Sequence, residues 1–228
     1  HRTIIASTFG FLANSNQERV RLFTPQIRVG SAELDNFKFN PQSSVGSVQL
    51  PLTDASPDAF RATIWSHMLN AYDRVANEYR SVQNRLRTQA DNEDKAPCFS
   101  VLSGSPAETY YEAPLAYTSL TPEEQREWEQ RLCRISAAFC KHPQFNEAVA
   151  SMQVEFSRTH LVNTEGTAIV QNRRSFQVML QVQTTTDDGM VLPLYQSYFA
   201  TQLDSLPSED VMLRDAENLG RRLEALVK

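Results

Sequence analysis

Apolar and polar residues alternate with a period of two at both ends of the chain. Between them, and again at the C-terminal end, apolar residues recur at three- and four-residue steps. Thr3 to Phe9 alternates, with Ile5 and Phe9 on one face and Ile4 and Ala6 on the other, and predicts a strand. The segment 10–17, polar around Asn14-Ser15-Asn16, predicts a turn. Arg19 to Val29 then predicts a second strand, bulged or at an edge because of Pro25. Gly30, Pro41, Gly46 and Pro51 break 30–55 into an irregular excursion.

Ser56-Pro57-Asp58 is a helix start, with Ser as N-cap, Pro at the first helical position and an acid in the first turn. Phe60, Ile64, Met68, Tyr72, Val75, Tyr79, Val82 and Leu86 follow as one apolar stripe. Continued to Ala90, this helix is roughly 50 Å long at 1.5 Å per residue, and it must lie across a sheet or pair with another helix. Pro97, Gly104, Pro106 and Pro114 allow only short strands, near Phe99–Leu102 and Thr109–Ala113. Thr121-Pro122-Glu123-Glu124 is a capping box ahead of the stripe Trp128, Leu132, Ile135 and Phe139, and Pro143 stops that helix.

From Ala148 the period returns to two. Val154, Phe156 and Val162 share a face, Asn163 to Gly166 turns, and Phe176, Val178, Leu180 and Val182 alternate with Gln177, Met179, Gln181 and Gln183. Asp187-Asp188-Gly189 predicts a type I′ hairpin turn and 190–201 the returning strand. Pro207-Ser208 opens a last helix with the stripe Met212, Ala216, Leu219, Leu223 and Leu226. The expected fold is α+β: an antiparallel β-sheet (meander) packed against long amphipathic helices, in a single domain over 1–228.

Composition adds exclusions. The 228 residues carry 22 Lys plus Arg against 27 Asp plus Glu, a net charge of −5 that argues against a dedicated nucleic-acid binder. No apolar run reaches the length of a membrane span, so neither nucleic acid nor membrane is an expected partner. The compartment stays open between the cytoplasm and export. Cys98, Cys133 and Cys140 leave room for one bridge but no disulfide framework; Cys133 and Cys140, seven apart on a helix, are expected as buried small hydrophobes.

The four histidines, His1, His67, His142 and His160, lie in neither HExxH nor HExxxH. Cys133, Cys140 and His142 lack a fourth ligand nearby and read as buried thiols beside a surface histidine. With 7 glycines and no GxSxG, GxGxxG or GxxxxGK[ST], the chain shows no catalytic constellation. It does offer a large antiparallel sheet, whose edge can accept an extended peptide by strand addition. On such a sheet Gln177, Gln181 and Gln183 also serve simply as a solvated face.

Three blocks carry a resemblance. Arg28-Val29-Gly30 with Leu34-Asp35-Asn36, Leu50-Pro51-Leu52 leading to Phe60–Trp65, and Val162-Asn163-Thr164-Glu165-Gly166-Thr167 with Asp188-Gly189-Met190 stand in the order found in TldD/PmbA-related proteins. The chain resembles the N-terminal α+β domain of that family, closest to the branch labelled modulator of DNA gyrase or TldD-related metallopeptidase. The gyrase label implies no DNA contact. The resemblance implies a non-catalytic role in dimerisation, as homodimer or heterodimer with a related subunit, and in a groove for extended peptides. It places the family's zinc, held by HExxxH, in a C-terminal domain absent from this chain, so no cofactor is expected here. Asp35, Asn36, Asn163, Glu165 and Gly166 are the expected peptide or inter-domain contacts. The alternative is a stand-alone binding or scaffold protein without protease activity.

Overall fold

The computed structural model describes residues 1–31, 34–39, 45–52, 56–88 and 106–227. The chain divides into two compact units, His1–Arg19 with Ala107–Lys228, and Val20–Pro106.

The first unit is built on a six-stranded sheet: β1 (Arg2–Thr8), β2 (Phe11–Glu18), β5 (Thr109–Tyr111), β6 (Glu147–Val162), β7 (Ala168–Thr185) and β8 (Val191–Ala200). Strands run in the order β2-β1-β6-β7, and β8 and β5 both pair with β7, β8 opposite Phe176–Thr185 and β5 opposite Ala168–Val170. All pairings are antiparallel except that of β5, which is parallel to β7. The expected α+β class is observed. The meander is confined to β6-β7-β8, with the β1–β2 hairpin joined to β6.

Helices α2 (Pro122–Ala137) and α3 (Glu209–Val227) cover one face, α2 over β1 and β6 and α3 over β7 and β8. That face presents Ile5, Ala148, Ala150, Met152, Val154, Val178, Leu180 and Val182, all fully buried, a direct product of the period-two pattern. Every expected member of the α2 stripe, Trp128, Leu132, Ile135 and Phe139, is buried against it. Thr121 Oγ1 accepts from Glu124 N–H while the Glu124 carboxylate accepts from Thr121 N–H, so the predicted capping box is formed. In α3, Met212, Ala216, Leu219 and Leu223 are buried but Leu226, the last of the predicted stripe, is 60% exposed beyond the sheet margin.

Two strand assignments are corrected. Phe11–Glu18, expected as a turn, is strand β2, and the strand expected over Arg19–Val29 shrinks to β3 (Leu22–Phe23), paired with β4 (Val48–Gln49). The chain reverses within two residues at Phe9 (φ 45°) and Gly10 (φ 86°). β2 is then held by main-chain bonds as an edge strand, so its polar sequence carries no alternation. A bulge between Ala6 and Ser7 adds to the irregularity. Ser136 Oγ of α2 fixes this turn: it lies 2.7 Å from Ser7 Oγ and accepts from Gly10 N–H at 2.9 Å.

In the second unit, helix α1 (Pro57–Thr88) starts at the predicted cap, with Ala59 N–H donating to Ser56 Oγ at 3.3 Å. Its buried residues are Ala71, Val75 and Val82, with Ile27, Val29 and Val45 packed at the first two. Met68 and Tyr72, expected in the buried stripe, are 39% and 52% exposed. The small Ala71 and Val75 permit closer approach of the loop and rotate the buried face away from the larger residues. The expected strand near Phe99–Leu102, Ala90 and Cys98 lie outside the described residues.

Candidate functional site

β7 and β8 are joined by a turn in which Gly189 N–H donates to Thr186 O and Thr186 N–H to Met190 O, both at 2.9 Å. Gly189 is left-handed (φ 85°) and no residue before it in the turn has positive φ. This is a three-residue type I turn with a glycine bulge, in place of the expected type I′. Asp188 accepts from Thr186 Oγ1 and from Met190 N–H, bonds that hold its carboxyl below the usual range.

The turn sets the hydrogen-bonding phase of β8. Thr186 and Met190 form a bonded pair, so strict alternation along the register turns the main-chain groups of Val191, Pro193, Tyr195, Ser197 and Phe199 away from β7. Pro193 therefore sits where its missing N–H costs the sheet nothing, the position for proline on an edge. Among the described residues no strand pairs with that outer side. The same odd-numbered side chains line the sheet face away from α2 and α3, where Tyr195 and Phe199 are 71% and 64% exposed.

On the other face, α3 runs back beside β8. Tyr198 Oη donates to Asp215 Oδ2 at 2.7 Å, and burial with this bond raises the phenol well above its ordinary range. Next to that anchor is an open cleft of about 500 Å³ lined by Gln196 of β8 and by Asp215, Asn218, Leu219, Arg221 and Arg222 of α3. α3 is held in place from its far side. Arg134 of α2 binds Glu209 with both ends (2.5 and 2.8 Å), Lys141 binds Glu217 at 2.9 Å, and His142 Nδ1 lies 2.6 Å from Glu224 Oε1. The bonds from Arg134 depress the Glu209 carboxyl and those from Lys141 depress Glu217.

Of the residues singled out in the sequence, Asn163, Glu165 and Gly166 form the exposed β6–β7 turn, which repeats the β7–β8 turn. Asn163 N–H donates to Thr167 O, Gly166 is left-handed (φ 96°), and Asn163 Oδ1 accepts from Glu165 and Thr167 N–H. Asp35 and Asn36 lie in the other unit and are almost fully buried. Asp35 pairs with Arg28 and accepts from Phe37 N–H, and Asn36 Oδ1 accepts from Val29 N–H at 2.9 Å. They close the loop around Gly30 (φ 130°), where a Cβ would lie 2.2 Å from Leu34 O. These polar side chains hold the geometry of the loop that carries Arg28–Gly30 and Leu34–Asn36.

Three further expectations are corrected. Cys140 is exposed and Cys133 partly so; both are free thiols, and Cys140 lies past the end of α2 in a 3-10 turn. His142, expected at the surface, is 9% exposed, stacked on Phe145 with ring centroids 4.8 Å apart, because Gly220 leaves room for its ring. Val162 shares the face of Val154 and Phe156 as expected, but is 78% exposed because β6 extends beyond its covering helices. Among the described residues no group of three or more His, Cys, Asp or Glu side chains gathers to hold a metal ion, so they do not fit a zinc site. None of the helices there is long and apolar enough to cross a membrane.

The β8 edge and its cleft were not singled out from the sequence. Pro193 within an alternating strand was the available signal; the cleft is formed by residues of β8 and α3 that only folding juxtaposes.

No family model matches the chain, and no curated protein matches it. Among solved structures it is similar to a proposed modulator of a DNA gyrase from Thermotoga maritima, at 10% identity and a TM-score of 0.48, over 96% of this chain and 41% of that one. It is also similar to TldE from Thermococcus kodakarensis, at 12% identity and a TM-score of 0.45, over 99% of this chain and 41% of that one. The chain thus spans about two-fifths of the length of these proteins.

Proposed function

We propose that this chain is a non-catalytic peptide-binding domain of a TldD/PmbA-like zinc metallopeptidase, which takes up extended peptides by strand addition along β8. The observation that carries the reading is the outer side of β8, a ten-residue strand whose alternate main-chain groups face away from β7. Strand addition draws affinity from main-chain bonds and asks little of the ligand's sequence, which suits a chain without a catalytic constellation. The family part of the reading rests on the three ordered sequence blocks, and it assigns zinc and peptide cleavage to a domain outside this chain. The dimerising part is supported by an exposed apolar stripe on α1, Trp65, Met68, Leu69 and Tyr72, at helical spacing.

The test uses extended peptides matched to the length of β8, each with two counterparts N-methylated at alternate amides, one in each phase. Binding is read by fluorescence anisotropy. Methylation in the bonding phase should weaken binding about tenfold or more, as several main-chain bonds are lost, while methylation in the other phase should not. Equal affinity of all three forms would remove strand addition as the mode.

A further inference from the structure

Resting on that reading, we infer that the β8 edge selects extended peptides in which apolar side chains alternate with polar ones that are acidic opposite Leu194 and Gln196. A strand added beside β8 shares its pleat, so every second side chain falls on the same face as Tyr195, Ser197 and Phe199, and the others fall on the face of Leu194, Gln196 and Tyr198. The first set meets Tyr195 and Phe199, whose rings are mostly exposed and offer apolar area to a neighbour. The second set points into the cleft beside α3.

That cleft is lined largely by charged and amide side chains, with Leu219 and Ala225 among them, and has two unlike ends. At one end Asp215 is fixed by the hydroxyl of Tyr198. Seven residues further along α3 stands Arg222, about 10 Å away at the rise of a helix, lining the same cleft as Gln196 of β8. Arg221 beside it donates to Asn218 Oδ1 at 2.7 Å and feels Glu217, so its charge is partly answered within the helix. An acidic side chain opposite Leu194 or Gln196 reaches Arg222, with Gln196 and Asn218 as further polar partners. An acid opposite Tyr198 would meet Asp215 and be repelled. The cleft therefore reads both the sign of the charge and its position along the peptide.

The experiment measures anisotropy of three labelled peptides with the same alternating valine positions, carrying glutamate, glutamine or lysine at the positions opposite Leu194 and Gln196 and glutamine opposite Tyr198. They are tested against the unaltered chain and Arg222→Glu. Glutamate should bind about fivefold tighter than lysine, the scale of a partly exposed ion pair replaced by a repulsion, with glutamine between. Arg222→Glu should invert the order, and added salt should level it. Circular dichroism checks that the exposed substitution leaves the fold intact. If all three peptides bind the unaltered chain equally, or if Arg222→Glu leaves their order unchanged, charge selection is wrong while strand addition stands. If no peptide binds, both fall.

Discussion

Two of the outer strands of the sheet, β2 and β8, are finished in opposite ways. On one side, β2 is short, polar and bulged, and its side chains are tied down to α2. Ser15 Oγ donates to Glu129 Oε1 at 2.5 Å and accepts from Gln125 Nε2 at 2.7 Å, while Gln17 donates to Gln125 at 2.7 Å. On the other side, β8 alternates cleanly, shows two exposed aromatic rings, and stands over an open cleft in front of α3. Both strands must protect unpaired main-chain groups from indiscriminate pairing. β2 does so with a bulge and small polar side chains. β8 relies on a single proline, which leaves most of its outward groups available. An edge left this open, beside a charged cleft, is where a binding function has room to exist.

Leu180 lies in the strand between β6 and β8 and is fully buried in the core that α2 and α3 share with the sheet. Leu180→Ala should cost about 2–5 kcal/mol in urea unfolding. Amide exchange should rise on β2 and β8 together. Loss confined to one edge would show that the sheet is not a single cooperative unit.

Gly220 sharpens the contrast, because it lies on α3, the helix that packs on β7 and β8. A Cβ there would lie 2.5 Å from His142 Nε2, and that ring is held by Phe145 and Glu224. In an ordinary helix interior, replacing glycine by alanine gains about 1 kcal/mol. Here Gly220→Ala should lose about 1–3 kcal/mol through overpacking, with faster exchange on α3 and β8 than on β2. Adding His142→Ala should recover part of that loss, a coupling measured by a double-mutant cycle.

The acid response should also fall on the β8 side. Arg134 depresses the Glu209 carboxyl in the folded chain, so this pair stabilises above the ordinary carboxylate pKa of 4.5. Its contribution is lost as pH falls from there through the lower folded value. Glu209→Gln should flatten this part of the stability profile as pH falls below 4.5, read by thermal melts at stepped pH. An unchanged slope would mean the pair contributes nothing to holding α3.

The smallest effect belongs to β2. Ser15→Ala removes one node of a partly exposed network and should cost less than about 1 kcal/mol. Peptide binding should be unaffected, and weakened binding in this variant would place the ligand on the wrong edge.

Much of the fold was legible because burial on one face imposes a period. The α2 stripe, the capping box, β6, β7 and the glycine of the last hairpin all follow from residues visible in order. What escaped was set by contacts that periodicity does not encode. β2 has no buried face to alternate against. The buried side of α1 is set by Ala71 and Val75, where Met68 and Tyr72 seemed better candidates on size. His142 is buried because a glycine 78 positions later leaves it space. The site was less legible than the fold. Asp35 and Asn36 stood out as polar residues in a defined turn, and they are used up in closing their own loop. Asn163, Glu165 and Gly166 form a well-made turn at the surface. The cleft needs β8 and α3 side by side before Arg222 has any neighbour to serve.

The pairing of β1 with β6 sets Arg2 opposite Glu155 and Thr8 opposite Val149. Between these partners lie the whole of the second unit and α2. A nascent chain therefore holds the β1–β2 hairpin without its neighbour until β6 has been made. Closing so long a loop is entropically slow, and contacts of such sequence separation lengthen folding times. The polar, bulged β2 then has a second value: during that wait it is a poor template for pairing with other chains. The β8 edge faces a shorter interval, since β8 follows β7 after a short turn and can zip directly onto it.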